Sequence, residues 1–161
     1  MCVRTSGLYL VSASRRFVAE VLHVVTGAFG YTGRWIAHRL LEKGIRVRTL
    51  TNAIGRDDPF DGKVEVHRYD FDNHEKLVDS LRGTAVLYNT YWVRYTVSGQ
   101  GFAHTLAVKN SKKLFLAAKE AGVGKIVHVS VANPDKAPDW AYFRGKVIVE
   151  EFLKKTGVSH S

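Results

Sequence analysis

The sequence predicts an α/β domain built on a doubly wound parallel sheet of about five strands. Three observations carry this. Short β-branched runs alternate with amphipathic helical stretches from residue 21 onward, and the first run ends in a glycine cluster that opens a helix. No internal repeat, low-complexity tract or linker interrupts the alternation. Strands separated by helices pair in parallel through right-handed crossovers. At 161 residues the chain is long enough for one domain with a sizeable core and too short for two ordinary ones.

Taken in order, Val21 to Thr26 (VLHVVT) is an apolar run ending at glycine, which reads as a buried strand. A helix over Tyr31 to Lys43 follows, with Ile36, Ala37, Leu40 and Leu41 on one face and Gly44 as its stop. Ile45 to Leu50 is the second strand. Gly55, Pro59 and Gly62 make a loop of Asn52 to Gly62, and Val64 to Tyr69 is the third strand. Asp72 with Glu75 predicts a capping box for a helix through Leu81. Ala85 to Tyr88 is the fourth strand. A long helix spans Phe102 to Ala121, its buried stripe being Ala103, Leu106, Ala107, Asn110, Leu114, Ala117, Ala118 and Ala121. Ala121 to Lys125 lacks the earlier glycine of a Walker phosphate loop and reads as a helix stop. Ile126 to Val131 is the fifth strand, and Trp140 to Lys155 a closing helix.

Composition narrows the function classes. Hydrophobic residues at 45% and charged residues at 24% exclude a disordered tail or a collagen-like repeat. No stretch reaches the roughly 18 apolar residues of a membrane span. Cys2 is a lone cysteine, which fits a reducing compartment, and no Cys/His cluster has metal-ligand spacing, so no metal is expected. The net charge of +9 raises nucleic acid as a partner, but the basic residues are scattered and no nucleic-acid motif accompanies them. Nucleic acid is therefore not expected, and a basic surface also suits phosphate ligands.

Residues 1–19 stand apart from the domain at 20–161. They hold Arg4, Arg15, Arg16 and several serines, with no acid before Glu20. This is an N-terminal extension or a transit-like leader. The expected location is the cytoplasm, or a mitochondrion if the leader is a transit peptide.

The loop Thr26-Gly27-Ala28-Phe29-Gly30-Tyr31-Thr32-Gly33 sits between a strand and a helix, where a glycine pattern carries information. Gly27 permits a tight turn, Gly30 lets the backbone approach a pyrophosphate, and Gly33 lets helix and strand pack closely. The helix N-terminus then offers N–H groups and a positive dipole end to phosphates. This predicts a Rossmann-type dinucleotide site, with Thr26, Gly27, Phe29, Gly30, Tyr31, Thr32 and Gly33 as its contacts. After the second strand, Leu50-Thr51-Asn52 offers no carboxylate for a ribose 2′-hydroxyl, and Arg56 lies just beyond. Asn52 and Arg56 therefore tilt the cofactor from NAD towards NADP.

The TGxxGxxG spacing resembles the short-chain dehydrogenase/reductase superfamily, in particular its extended and atypical branches of epimerases, dehydratases and NmrA-like proteins. The resemblance covers nearly all of Leu22 to Gly157. It implies that Asp70 meets the adenine amino group and Phe71 its ring. It implies small residues after the fourth strand, where this chain has Asn89-Thr90-Tyr91-Trp92. Asn89 is carried as a cofactor contact, and the two aromatics as lining of a substrate pocket or packing against a loop.

Tyr142-Phe143-Arg144-Gly145-Lys146 contains Tyr-x-x-x-Lys at the start of the closing helix, with Ser130 at the end of the strand before it. Residues four apart share a helix face, about 6 Å apart at Cβ. A phenol is a poor base at neutral pH, and a neighbouring ammonium favours its ionised form. The expected catalytic set is Ser130 to hold a substrate oxygen, Tyr142 as acid/base, and Lys146, which the resemblance also places on the nicotinamide ribose. Asn110 joins this set by resemblance, although a structural hydrogen bond explains it equally. Gly145 inside a helix costs about 1 kcal/mol against alanine, which signals a close neighbour.

The implied function is an NAD(P)-dependent oxidoreductase or epimerase acting on a hydroxyl or carbonyl carbon of a small-molecule substrate. A homodimer is the protein partnership considered. The alternative is a non-catalytic NAD(P)-binding sensor or accessory subunit, NmrA-like or resembling the related respiratory complex I subunit. Gly157 to Ser161 reads as the approach to a sixth strand, so the final strands and the substrate region are expected to be missing.

Overall fold

In the computed structural model, residues 21–53, 57–93, 100–137 and 139–161 are described. Strand β1 (Leu22–Thr26) lies at the centre of the sheet and helix α1 (Tyr31–Glu42) leaves it through the glycine loop. Then come β2 (Arg46–Leu50), β3 (Val64–His67), α2 (His74–Leu81), β4 (Thr84–Asn89), α3 (Gln100–Glu120), β5 (Lys125–His128) and α4 (Ala141–Thr156). All pairings are parallel and the order is β3-β2-β1-β4-β5. The domain is a Rossmann-type sheet, and its order reverses between β1 and β4. Crevices for ligands open at such reversals, beyond the carboxyl ends of the strands.

Adjacent strand residues feed opposite layers. Val24 joins Leu87, Ile126, Leu114, Phe115 and Val149 in a core covered by α2, α3 and α4. Val25 joins Ala37, Leu40, Val47 and Phe60 under α1. That both are fully buried is what a central parallel strand requires.

Several expectations shift. The cap of α2 is Asn73, not Asp72. Asn73 is extended (φ −119°, ψ 99°) and its side chain accepts from Lys76 N–H at 3.0 Å. Asp72 instead lies in solvent, 3.4 Å from Lys113 Nζ. Leu106 on α3 and Ala121 just past its end are only half-buried, while Ser111 and Phe115 are fully buried beside the predicted stripe. Strand β5 ends at His128, so Ser130 lies beyond it in the following loop. Past α4, Ser159 O accepts from Ile126 N–H, and Ser161 exchanges two hydrogen bonds with β5, so the tail pairs in parallel with that strand.

Candidate functional site

The glycine loop forms one end of the site. Gly27 adopts φ +64°, a conformation other residues reach only with strain, and its N–H donates to Leu50 O at 2.9 Å. Gly33 has no room for a side chain: a Cβ would stand 2.3 Å from Gly27 O and 2.7 Å from Gly27 C. Gly30 is the N-cap of α1, with N–H to Gly27 O at 2.8 Å, and a Cβ there would meet that carbonyl at 3.1 Å. No side chain caps the helix and its first turn has no acid. The N–H groups of that turn have no intrahelical acceptor, so the turn presents an electropositive end.

This end faces a cleft of about 400 Å³, lined by Thr26, Gly27, Gly30, Tyr31, Thr32 and Gly33 on one side and by Tyr69, Thr90, Tyr91 and Trp92 on the other. Phe29 packs instead towards Phe60, with ring centroids 6.2 Å apart. Asn52 is exposed just past β2. Arg56 and the leader at 1–19 lie outside the described residues.

A polar network ties the carboxyl ends of β1, β4 and β5 together. Thr26 Oγ1 donates to Asn89 Oδ1 (3.3 Å) and accepts from Thr90 N–H (2.7 Å), and Thr90 Oγ1 donates back to Thr26 O. Asn89 Oδ1 also accepts from Tyr91 N–H at 3.1 Å, while its Nδ2 lies 3.0 Å from His128 Nδ1. Asn89 is fully buried, so its amide holds strand ends rather than facing the cleft. Burial, helped by the Lys146 charge, pushes the His128 imidazole down to about 4. His128 is therefore neutral at pH 7 and accepts from Asn89 at Nδ1.

The acidic-hydrophobic pair after β3 has local tasks. Asp70 Oδ1 accepts from Asn73 N–H at 3.1 Å, and its other oxygen is 3.6 Å from Lys76 Nζ. Phe71 stacks on Tyr69 (5.0 Å, 15°), and Tyr91 leans on both rings. Asn110 donates from Nδ2 to the Tyr91 hydroxyl at 2.9 Å. The partner that a buried Asn110 required is thus a side chain in the β4 loop. Burial raises the phenols of Tyr69 and Tyr91 above the ordinary tyrosine value, so both stay protonated.

On α4, Tyr142 and Lys146 do share a face, with Lys146 Nζ 5.9 Å from the Tyr142 ring centre. Lys146 is only 4% exposed, and its ammonium donates to Val129 O at 3.1 Å. Trp92 lies over it, with Nζ 4.1 Å from the indole centre, and meets Tyr142 edge to face at 5.6 Å. Gly145 makes room for that indole: a Cβ there would be 3.2 Å from Trp92 Cη2. Ser130 borders a different cavity, of about 270 Å³, with His128, Glu150 and Ser161, and its hydroxyl has no hydrogen-bond partner among the described residues. The structure brings Tyr142 and Lys146 together, while the cavity that Ser130 borders is lined by neither. Sequence reasoning offered Tyr91 and Trp92 as pocket lining or as packing against a loop and did not assign Tyr69, while Gly145 signalled a close neighbour. Among the described residues, no three His, Cys, Asp or Glu side chains group to hold a metal ion, and no helix is long and apolar enough to cross a membrane.

The cleft can hold an anion at one end and an aromatic or sugar group against the rings at the other. The sequence profile of the NmrA-like family matches residues 21–161. The chain is 29% identical over 140 residues to the photosystem II assembly factor Ycf39 of Cyanophora paradoxa, covering 86% of this chain and 43% of that protein. It is 27% identical over 143 residues to the mitochondrial 40 kDa subunit of NADH-ubiquinone oxidoreductase from Neurospora crassa, covering 83% and 38%. The chain thus spans less than half the length of these relatives. Among solved structures, triphenylmethane reductase of Citrobacter sp. complexed with NADP(H) superposes with a TM-score of 0.69 at 18% identity, over 87% of this chain and 47% of that one. At that identity the likeness is one of fold.

Proposed function

The chain belongs to the NmrA-like family, and from that premise we propose that it binds a nicotinamide dinucleotide, NADP in preference to NAD, in the cleft between β1 and β4. The observation that carries this reading is the glycine turn, whose side-chain-free backbone and the uncapped first turn of α1 that follows it border that cleft. Gly27, Gly30, Tyr31, Thr32 and Gly33 would hold the diphosphate, with Thr26 and Phe29 shaping the loop. Tyr69, Phe71 and Tyr91 would meet the base, with Asp70 and Asn89 fixing the backbone around it. The preference for NADP rests on Leu50-Thr51-Asn52, which lacks a carboxylate, and on Arg56.

Such a group supplies hydride transfer when bound. What this chain's own residues add divides two readings. We favour a non-catalytic binding or accessory role, because Ser130 borders a cavity that neither Tyr142 nor Lys146 lines and because Lys146 donates to Val129 O. That one curated relative is named an assembly factor and another a subunit of NADH-ubiquinone oxidoreductase supports an accessory role. The mitochondrial relative also supports an organellar location. The second reading, oxidoreduction or epimerisation at a hydroxyl or carbonyl carbon, is supported by the shared face of Tyr142 and Lys146. There Tyr142 would move the proton, with Asn110 holding the Tyr91 hydroxyl at the cleft.

Titration of the purified chain with NADPH and NADH tests the proposal. Saturable binding, tighter for NADPH, is expected; no binding of either at millimolar concentration overturns it. Arg56→Ala is expected to narrow the gap between the two, and an unchanged gap removes the role of Arg56. Turnover of any carbonyl substrate that Tyr142→Phe abolishes, with NADPH affinity unchanged, would reinstate the enzyme reading.

A further inference from the structure

We propose that Trp92 is a ligand-displaced plug: its indole occupies the passage from the phosphate end of the cleft to Lys146 and Tyr142, and a nicotinamide ribose must move it to enter. The proposal rests on the dinucleotide reading above and adds how the site responds to its ligand. Trp92 borders the same cleft as Gly27 and Gly30, whereas Lys146 and Tyr142 do not. The indole fills the space between them, 4.1 Å from Lys146 Nζ and in edge contact with Tyr142.

The seat is shaped for this ring yet incompletely satisfied. Gly145 is the position on α4 where a missing Cβ admits the indole, and Val108 of α3 closes the same spot. The indole sits over the Lys146 ammonium, an arrangement that a cation and a π face favour. Its Nε1–H is buried with no hydrogen-bond partner among the described residues, so the polar tip of the ring gains nothing by staying. The backbone before it is held firmly. Thr90 N–H donates to Thr26 Oγ1 at 2.7 Å and Tyr91 N–H to Asn89 Oδ1 at 3.1 Å. Release is therefore a side-chain rotation of Trp92 and leaves the strand ends in place. A site whose competent form is populated only in part binds more weakly by that fraction. A ligand that ends at the diphosphate never reaches the plug.

The test compares NADP+ with ADP, which lacks the nicotinamide ribose. In the full chain carrying Trp35→Phe and Trp140→Phe, Trp92 is the remaining tryptophan. NADP+ is expected to move its emission to longer wavelength, and ADP to bind without moving it. By calorimetry, Trp92→Ala is expected to raise NADP+ affinity about tenfold, as removal of a seat occupied nine-tenths of the time would, and to leave ADP within about twofold. If Trp92→Ala does not fold, Trp92→Phe is expected to change affinity in the same direction by less, and the emission experiment needs no change at residue 92. Binding of both ligands with an unchanged affinity ratio, or emission that both or neither ligand moves, overturns the plug alone. Weaker NADP+ binding by the Trp92 variants also overturns it, by making the ring part of the platform. Failure of both ligands to bind overturns the dinucleotide reading and the plug with it.

Discussion

The two ends of the cleft are built from different material. At the β1–α1 end the working parts are backbone, held by glycines whose missing side chains leave space. Gly33 stands against Gly27 so closely that any Cβ would collide. At the β4–α4 end the working parts are side chains that have found one another: Asn89 with Thr26 and His128, Asn110 with Tyr91, and Trp92 with Lys146 and Tyr142. The first end is ready for a ligand as it stands. The second is occupied by its own residues, and a ligand there must compete with them.

This contrast can be broken by mutation, and the largest effect belongs to the backbone end. Gly33→Ala is expected to destabilise the fold by about 3 kcal/mol, because the atoms in the way are backbone and cannot rotate aside. Urea denaturation measures it; a loss under about 1 kcal/mol would mean that the turn is softer than its geometry.

The side-chain end has its own signature in pH. His128 titrates at about 4 in the folded chain and at 6.5 when free. Between those values the unfolded chain holds a proton that the folded chain refuses, so stability falls as pH drops from 6.5 towards 4 and is unaffected above 6.5. The expected contribution is at most about 3 kcal/mol. Denaturation midpoints across this window should fall less steeply in His128→Gln than in the parent, and parallel curves would show that the buried imidazole is not the cause.

Smaller effects sharpen the picture. Asn110→Ala removes a single hydrogen bond to the Tyr91 hydroxyl and is expected to cost about 1 kcal/mol. Tyr91→Phe in the same background should then cost almost nothing more, which a double-mutant cycle reads directly. Gly145→Ala is expected to lie within about 1 kcal/mol of the parent. Its Cβ crowds an indole that can shift, and alanine regains about 1 kcal/mol of helix preference. Set beside Gly33→Ala, it separates a glycine demanded by backbone from one that accommodates a side chain.

The same contrast governs what the sequence disclosed. Strand and helix order, and the glycine turn, were legible because a backbone that must bend or approach closely demands glycine at fixed spacing. The cap of α2 was misplaced by one residue because Asp72 and Asn73 are both good caps, and the backbone angles at Asn73 decide between them. Asn110 announced its need for a partner, yet Tyr91 lies 19 residues away on another element, and spacing alone does not join them. Ser130 was assigned to a strand end that β5 does not reach, since pairing as a strand stops at His128. The Trp92 contact left two traces, a bulky ring where the resemblance implies a small residue and a glycine inside α4 that reports crowding, and nothing in their spacing joins them.

The central claim is that a dinucleotide diphosphate rests on the amides at the start of α1. Assigned amide spectra recorded during titration with NADP+ test it most directly. The account predicts that Gly27, Gly30, Tyr31, Thr32 and Gly33 shift together and saturably, while amides beside the Ser130 cavity, such as Leu153 and Ser161, stay in place. Shifts confined to the Ser130 cavity, or none at all at saturating NADP+, would contradict it.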